Sequence, residues 1–420
     1  MSYIISIVLD TRREKENGKF PVKLRVYNKA NNKKTVKLYS LDIDLTDKEF
    51  ETIWINPENK SLRGANKKIR LRLLEFETRA NDEAEAMTVF DIAKFETKYF
   101  RKSSDKNNVK YHFDLAIQKN MSNDKIGTAE SYKYTLNSLA VFIDKDNAKE
   151  ALSKIDKLTF DTITADWLKE YEKSMLAKGR SYTTIGIYTK ALRAIFNNAI
   201  EANDISIDIY PFTKNKYRIP KSKKVKKALN AKQLKTLFGA DAENENEQQA
   251  KDFWFFSYAS NGMNFKDIAL LKYSDIKEDK FTYYRAKTFD KTAEKTAITI
   301  YLTDFTNSII SNYGNKDKSD FVFNIVNSKD TIQTQYKKIK NFTRLVNDHI
   351  KRIAKRNDLP NDISTYWARH SFATNSLRKG ASMEFVSEAL NHSDLNVTKN
   401  YFAGFEDEAK KEFANSLLDF

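Results

Sequence analysis

The sequence predicts a multidomain fold of three segments: a small β-rich N-terminal domain, an all-α middle domain, and a C-terminal domain that opens on a capped helix. Three observations predict it. Apolar residues alternate at period two near the start and recur at helical spacing through the middle. A lysine-rich stretch then separates the middle from the rest. A chain of 420 residues also has the length of roughly three domains, each able to bury a core of its own.

In the first segment, Val22, Leu24 and Val26 alternate with Lys23 and Arg25, and Val36 and Leu38 flank Lys37. That is the period of half-buried strands with a basic outer face. Asn17-Gly18 signals a hairpin turn, and residues 28–34 read as a polar turn. Thr46 and Glu49 form a capping box that opens a short helix, and Ile69, Leu73, Phe76 and Ala80 mark one face of a longer one. A three-stranded sheet with a helix, ending near residue 95, accounts for these signals.

From residue 108 to 210 the pattern is helical, with Tyr132, Leu136, Leu139 and Ile143 on one stripe and Ile185, Tyr188, Leu192, Ile195 and Ala199 on another. Lys133, Lys190 and Arg193 fall on other faces, as a helical domain that grips DNA requires. Residues 211–227 form a basic linker in which Lys221, Lys223, Lys224, Lys226 and Lys227 leave almost nothing to bury and suit a run of phosphates. The third domain covers 228–420, and Asn230 caps the helix that leads to Leu234 and Leu237.

A formal net charge of +16 implies a polyanionic partner, nucleic acid first. A basic protein of membrane surfaces would need an amphipathic basic helix or a lipidation signal, and neither stands out. With no cysteine, thiolate chemistry, thiolate metal sites and disulfides are excluded. His112, His349, His370 and His392 show no ligand spacing, so no metal site is expected. The apolar run Ile4 to Leu9 is too short for a secretion signal, no stretch has the length of a membrane span, and the expected location is the cytoplasm.

Chemistry is carried by three boxes near the end: Trp367-Ala-Arg-His-Ser-Phe-Ala-Thr374, Ser387-Glu-Ala-Leu-Asn-His-Ser393 and Val397-Thr-Lys-Asn-Tyr401. Each alone is commonplace. In this order and spacing they resemble the C-terminal signature of tyrosine recombinases, R-H-[ST]-x-A-T, then L-G-H-[ST], then T-x-x-Y. Asn261-Gly-Met-Asn-Phe-Lys-Asp-Ile-Ala-Leu-Leu-Lys272 and Tyr284-Arg-Ala-Lys-Thr288 look like the integrases of Bacteroidetes mobile elements, as do the β-rich start and the helix beginning Tyr182-Thr-Thr-Ile.

The resemblance implies an arm-type DNA-binding domain over 1–95, a helical core-binding (SAM-like) domain over 108–210, and a mixed α/β, mainly helical catalytic domain over 228–420. It implies a site-specific recombinase that cleaves and rejoins DNA through a 3′-phosphotyrosyl link, integrating or excising a mobile element. Partners implied are double-stranded DNA at core and arm sites, other copies in a tetramer on that DNA, and host DNA-bending and excision factors. DNA inversion by the same chemistry, and a catalytically impaired architectural DNA-binding protein, stand as alternatives.

A phosphodiester attacked without metal needs side chains to stabilise the crowded phosphorane. Arg369, whose planar fork binds two phosphate oxygens, is the implied clamp. The resemblance further implies that His392 donates to a non-bridging oxygen, that Lys287 on a predicted strand protonates the departing 5′-oxygen, and that Tyr401 is the nucleophile. The covalent link conserves bond energy, so no cofactor, ATP or metal is expected. DNA contacts are expected from Lys23 and Arg25 in the first domain, Lys190 and Arg193 in the second, and the linker lysines.

Two positions depart from the family pattern. Asn264 stands where a first catalytic arginine is usual, and Tyr366 stands where a histidine is usual. Arg285, two residues before Lys287 and expected on the same strand face, is the candidate substitute for the missing charge, against a plain surface arginine. Tyr366 can exchange a hydrogen bond or simply pack, which leaves the base for Tyr401 open. Asn391 replaces a glycine at a position where asparagine tolerates left-handed backbone. Phe405, Ala409, Phe413, Leu417 and Phe420 fall near one helical face, a stripe expected to dock on a neighbouring protomer or on its own domain.

Overall fold

The computed structural model describes residues 3–30, 33–56, 62–144, 155–220, 227–287, 289, 296–392, 394–399, 401–402, 404 and 407–416. It divides into two compact units, residues 1–108 and 109–420.

The first unit is an antiparallel sheet, β1 (Tyr3–Leu9), β2 (Phe20–Ala30) and β3 (Lys33–Leu45), in that order. The chain turns between β1 and β2 through Gly18, whose φ of 70° needs no Cβ. Val22, Leu24 and Val26 point inward opposite Leu9, Ile7 and Ile5, as the alternation requires. Lys23 and Arg25 point outward, but Lys23 Nζ lies 2.6 Å from the buried Asp10 carboxylate.

On β3 the expected facing is reversed. Lys37 and Tyr39 pair with Val26 and Leu24 and so share their inner face, while Val36 is exposed. The reason lies further along the strand: Leu41, Ile43 and Leu45 must be buried, and they share the parity of Lys37. Glu96 makes the arrangement tolerable by accepting from Lys37 Nζ (2.7 Å) and the Tyr39 hydroxyl (2.9 Å). The expected turn over 28–34 is also shorter than predicted, since pairing continues to Asn28↔Thr35 and Lys29↔Lys34.

The capping box is present: Thr46 accepts from Glu49 N–H at 3.2 Å, and Glu49 accepts from Thr46 N–H at 2.8 Å. It opens α1 (Asp47–Phe50). Leu73 and Ala80 on α2 (Gly64–Glu85) cover the sheet together with Phe95 and Tyr99 on α3 (Ile92–Tyr99). Because Phe95 and Tyr99 complete this core, the first unit runs beyond the boundary expected at residue 95.

In the second unit, α4 (Val109–Ser122), α5 (Ile126–Ile143), α6 (Ala165–Ala177) and α7 (Tyr182–Glu201) close around Phe113, Leu139, Phe160, Leu192, Ile195 and Phe196, all fully buried. Ile185, Leu192, Ile195 and Ala199 are buried as the helical spacing predicts, and Lys190 and Arg193 remain exposed.

Asn230 caps α8 (Ala231–Gly239) through a box with Gln233. Next come α9 (Glu245–Ala259), α10 (Phe265–Ala269) and a small antiparallel sheet of β4 (Ile276–Lys277), β5 (Lys280–Tyr283) and β6 (Ile298–Tyr301). Then follow α11 (Asp304–Tyr313), α12 (Ile332–Arg356), α13 (Thr365–Arg378), α14 (Met383–Ala389), α15 (Leu395–Lys399) and α16 (Asp407–Ser416). Trp254 on α9 is fully buried, and its indole N–H donates to Ser364 O at 3.0 Å, just before α13 begins. A truncation there would cost about 3–5 kcal/mol and loosen the start of α13, the helix on which the next section turns.

The side chains of Phe405, Ala409, Phe413, Leu417 and Phe420 lie outside the described residues, as do Lys221, Lys223, Lys224 and Lys226.

Candidate active site

The second turn of α13 carries Arg369 inward, at 2% exposure. Its guanidinium donates to Gly262 O (3.0 Å) and Leu390 O (2.5 Å), and one nitrogen lies 3.3 Å from His392 Nε2. Gly262 is required here. Its φ is 66°, and a Cβ would sit 2.8 Å from Arg369 Cα. The Asn261-Gly262 turn thus brings a carbonyl onto the guanidinium only because it has no side chain.

Tyr401 follows α15 and is 9% exposed. Its ring stacks on His370 (4.4 Å between centroids) and lies 4.9 Å from His392. The main chain is held twice: Tyr401 N–H donates to Thr398 O at 2.9 Å, and Tyr401 O accepts from the Thr374 hydroxyl at 3.0 Å. Its phenol oxygen is 2.6 Å from that of Tyr366 in the first turn of α13. Partial burial, then the bond to Tyr401, raises the Tyr366 pKa above its ordinary value.

Arg285 does not lie on a strand. β5 ends at Tyr283, and the chain then turns, with Phe289 N–H donating to Arg285 O (3.1 Å) and Ala286 N–H to the Asp267 carboxylate (2.9 Å). The turn separates Arg285 from Lys287: the first is 8% exposed and the second points to solvent. The expectation of a shared strand face is therefore wrong, because the Asp267 carboxylate draws the backbone out of the ladder. Arg285 nevertheless faces the cluster, where its charge acts on Arg369, His392, Tyr366 and Asp267.

Two buried cations, Arg369 and Arg285, add their charge to the effect of burial on the titrations around them. Burial, then Arg285, lowers the Arg369 pKa. Burial, then Arg369 and Arg285, pushes His392 down to about 4. Burial likewise lowers His370, partly offset by its hydrogen bond to the Tyr401 main chain. Asp267 is the carboxylate facing the pair, and burial raises its pKa despite the Ala286 N–H. Such a site strongly favours an added anion.

Asn264 is half-buried as the N-cap of α10 and makes no side-chain cap bond; Lys266 is exposed. Of the residues singled out in sequence, Tyr401, Arg369, His392 and Tyr366 therefore converge, Arg285 joins them from an unforeseen turn, and Lys287 stays outside on the same loop. Lys227 lies 3.8 Å from Asp362 near the start of α13. Sequence reasoning missed two members. Thr398, whose hydroxyl is 2.9 Å from His392 Nδ1, was visible as the threonine of the T-x-x-Y box. Asp267 was visible as the acidic end of the Asn-Phe-Lys-Asp box.

Residues 227–408 match the phage integrase family model, and residues 108–219 match the phage integrase SAM-like domain. The chain is 24% identical over 293 residues to tyrosine recombinase XerC of Listeria welshimeri, covering 66% of this chain and 87% of the relative. It is 40% identical over 52 residues to tyrosine recombinase XerD of Listeria monocytogenes, covering 12% of this chain and 18% of the relative. In fold it is similar to the Tn1549 transposon integrase, solved in complex with a circular intermediate DNA, at a TM-score of 0.51 and 17% identity over 74% of this chain and 99% of that one.

Proposed function

The chain belongs to the tyrosine recombinase (phage integrase) family and is a site-specific recombinase that cleaves and rejoins DNA; on that premise we propose that it integrates and excises a mobile element, with Tyr401 as nucleophile. The observation that carries the assignment of residues is the pair of buried arginines, Arg369 and Arg285, gathered with His392 around the Tyr401–Tyr366 hydroxyl pair. Burying like charges is costly, and a phosphodiester drawn between them would offset that cost. The negative charge that grows in the phosphorane would lower the energy further, so the effect is largest in the transition state.

In this reading the scissile phosphate replaces the Gly262 and Leu390 carbonyls as partner of Arg369. Tyr401 attacks phosphorus as its proton passes to the Tyr366 oxygen, while Tyr366, half-exposed, gives its own to solvent. The P–O5′ bond breaks and the 5′-oxygen leaves with a proton from Lys287, which lies exposed two residues beyond Arg285. The 5′-hydroxyl of a second strand then attacks the phosphotyrosine and restores Tyr401. Arg285 supplies the charge that Asn264 does not.

Three DNA contacts follow: residues 1–108 on arm-type sites through Arg25 and the outer sheet face, α7 through Lys190 and Arg193 on the core site, and Lys227 with the linker lysines on phosphates between. Four copies on DNA would carry out the exchange, with DNA-bending and excision factors of the host as accessories. Among the described residues no helix is long and apolar enough to cross a membrane; we place the enzyme with its DNA in the cytoplasm. The similarity of residues 261–272 and 284–288 to integrases of Bacteroidetes elements supports a mobile-element origin over DNA inversion.

The test is a suicide substrate nicked beside the cleavage site. A covalent adduct that maps to Tyr401 supports the reading, and its absence with core-site DNA that binds would leave an architectural role, the one the loss of arginine at position 264 favours.

A further inference from the structure

We propose that Thr398 is a positioning residue whose hydroxyl, by accepting from or donating to Nδ1, stabilises whichever tautomer of His392 the partner at Nε2 demands, and so lets that ring donate to the phosphate of bound DNA. The inference rests on the recombinase reading above and deepens it.

Thr398 is fully buried on α15, with its hydroxyl 2.9 Å from His392 Nδ1. On the other side of the ring, Nε2 lies 3.3 Å from an Arg369 nitrogen. A guanidinium has donors and no acceptor, so Nε2 must offer it a lone pair. The proton of the neutral ring therefore sits on Nδ1, and the Thr398 hydroxyl accepts it. The charged and titratable groups that face this ring are Arg369, Arg285 and Tyr401. The two cations keep it neutral, so the tautomer alone decides what it can donate.

Once a phosphate takes Arg369, Nε2 loses its donor and gains an acceptor. To donate, it must carry a hydrogen. The Nδ1 proton is then released and one from solvent is taken up at Nε2, which leaves the ring neutral. Thr398 meets the change by turning from acceptor to donor, which a hydroxyl can do and a carboxylate in its place could not. The same residue's carbonyl accepts from Tyr401 N–H at 2.9 Å, so one residue spaces nucleophile and donor.

Histidine-selective ¹⁵N labelling of the full-length, DNA-free protein reads the tautomer directly, with the His392→Gln spectrum assigning the signal. The expected result is Nδ1–H for His392 in the wild type, a shift toward Nε2–H in Thr398→Val, and the wild-type pattern in Thr398→Ser. On a nicked suicide substrate, Thr398→Val should form adduct at least ~10-fold more slowly at unchanged DNA affinity, with Thr398→Ser within ~3-fold of wild type. Thr398→Ala removes the same hydroxyl with less bulk and should behave as Thr398→Val does, should the valine variant not fold. Nε2–H in the wild type, or a hydroxyl-free variant that leaves either the tautomer or the adduct rate unchanged, overturns the proposal. A wild type that binds core DNA yet forms no adduct instead removes the recombinase assignment, and the tautomer result then stands by itself.

Discussion

The phenol oxygens of Tyr366 and Tyr401 lie 2.6 Å apart, one from the first turn of α13 and the other from the segment after α15. A tyrosine where the family usually has histidine thus engages the candidate nucleophile directly, in place of simply packing.

Tyr401→Phe is expected to abolish covalent adduct while leaving DNA affinity near wild type, because the grip comes mainly from basic residues. Tyr366→Phe keeps the ring and removes the proton path, so adduct formation should slow by ~10²-fold, in the usual range for general acid–base groups. Single-turnover cleavage of a suicide substrate measures both. A Tyr366→Phe enzyme at the wild-type rate would return Tyr366 to a packing role.

Arg285→Ala should cut cleavage by ~10²-fold or more with binding little changed, since it removes a donor aimed at charge that develops in the transition state. Lys266→Ala, at an exposed position, should do much less. Arg285→Ala cleaving at the wild-type rate would mean that the charge missing at Asn264 comes from elsewhere.

The His392 pKa of about 4 makes stability depend on pH. Between its ordinary 6.5 and about 4, the unfolded chain takes up a proton at this ring and the native state does not. Stability from this group is therefore fully present above pH 6.5 and is lost as pH falls through that window. Because the ring is only half-buried, the loss should be held to about 1–2 kcal/mol. Thermal melts of the DNA-free protein from pH 7.5 to 4.5 should show a decline that His392→Gln makes shallower. Equal slopes in the two proteins would contradict the assignment.

Deletion of residues 1–108, a unit with its own core, should spare cleavage of core sites and cripple integration that depends on arm sites. Binding by the full chain should weaken steeply with salt, as counterion release demands, and the deletion should make that dependence shallower. Paired integration and core-cleavage assays check this. Unchanged integration by the shortened protein would remove the arm-binding role.

The sequence by itself named the candidate residues. Tyr401, Arg369 and His392 were legible because three boxes near the end resemble the tyrosine recombinase signature in order and spacing, which is read without any knowledge of packing. The helical stripes, the Thr46 capping box and the Asn230 cap were legible for a related reason, since a period or a cap is a local property of the chain. What only the tertiary structure decided depends on partners distant in sequence. Lys37 faces inward because Leu41, Ile43 and Leu45 claim that face and Glu96, far along the chain, receives its ammonium. Arg285 is buried because Asp267 pulls Ala286 N–H out of the strand. A hydrogen bond between separate elements is set by how they pack, and no local pattern encodes it.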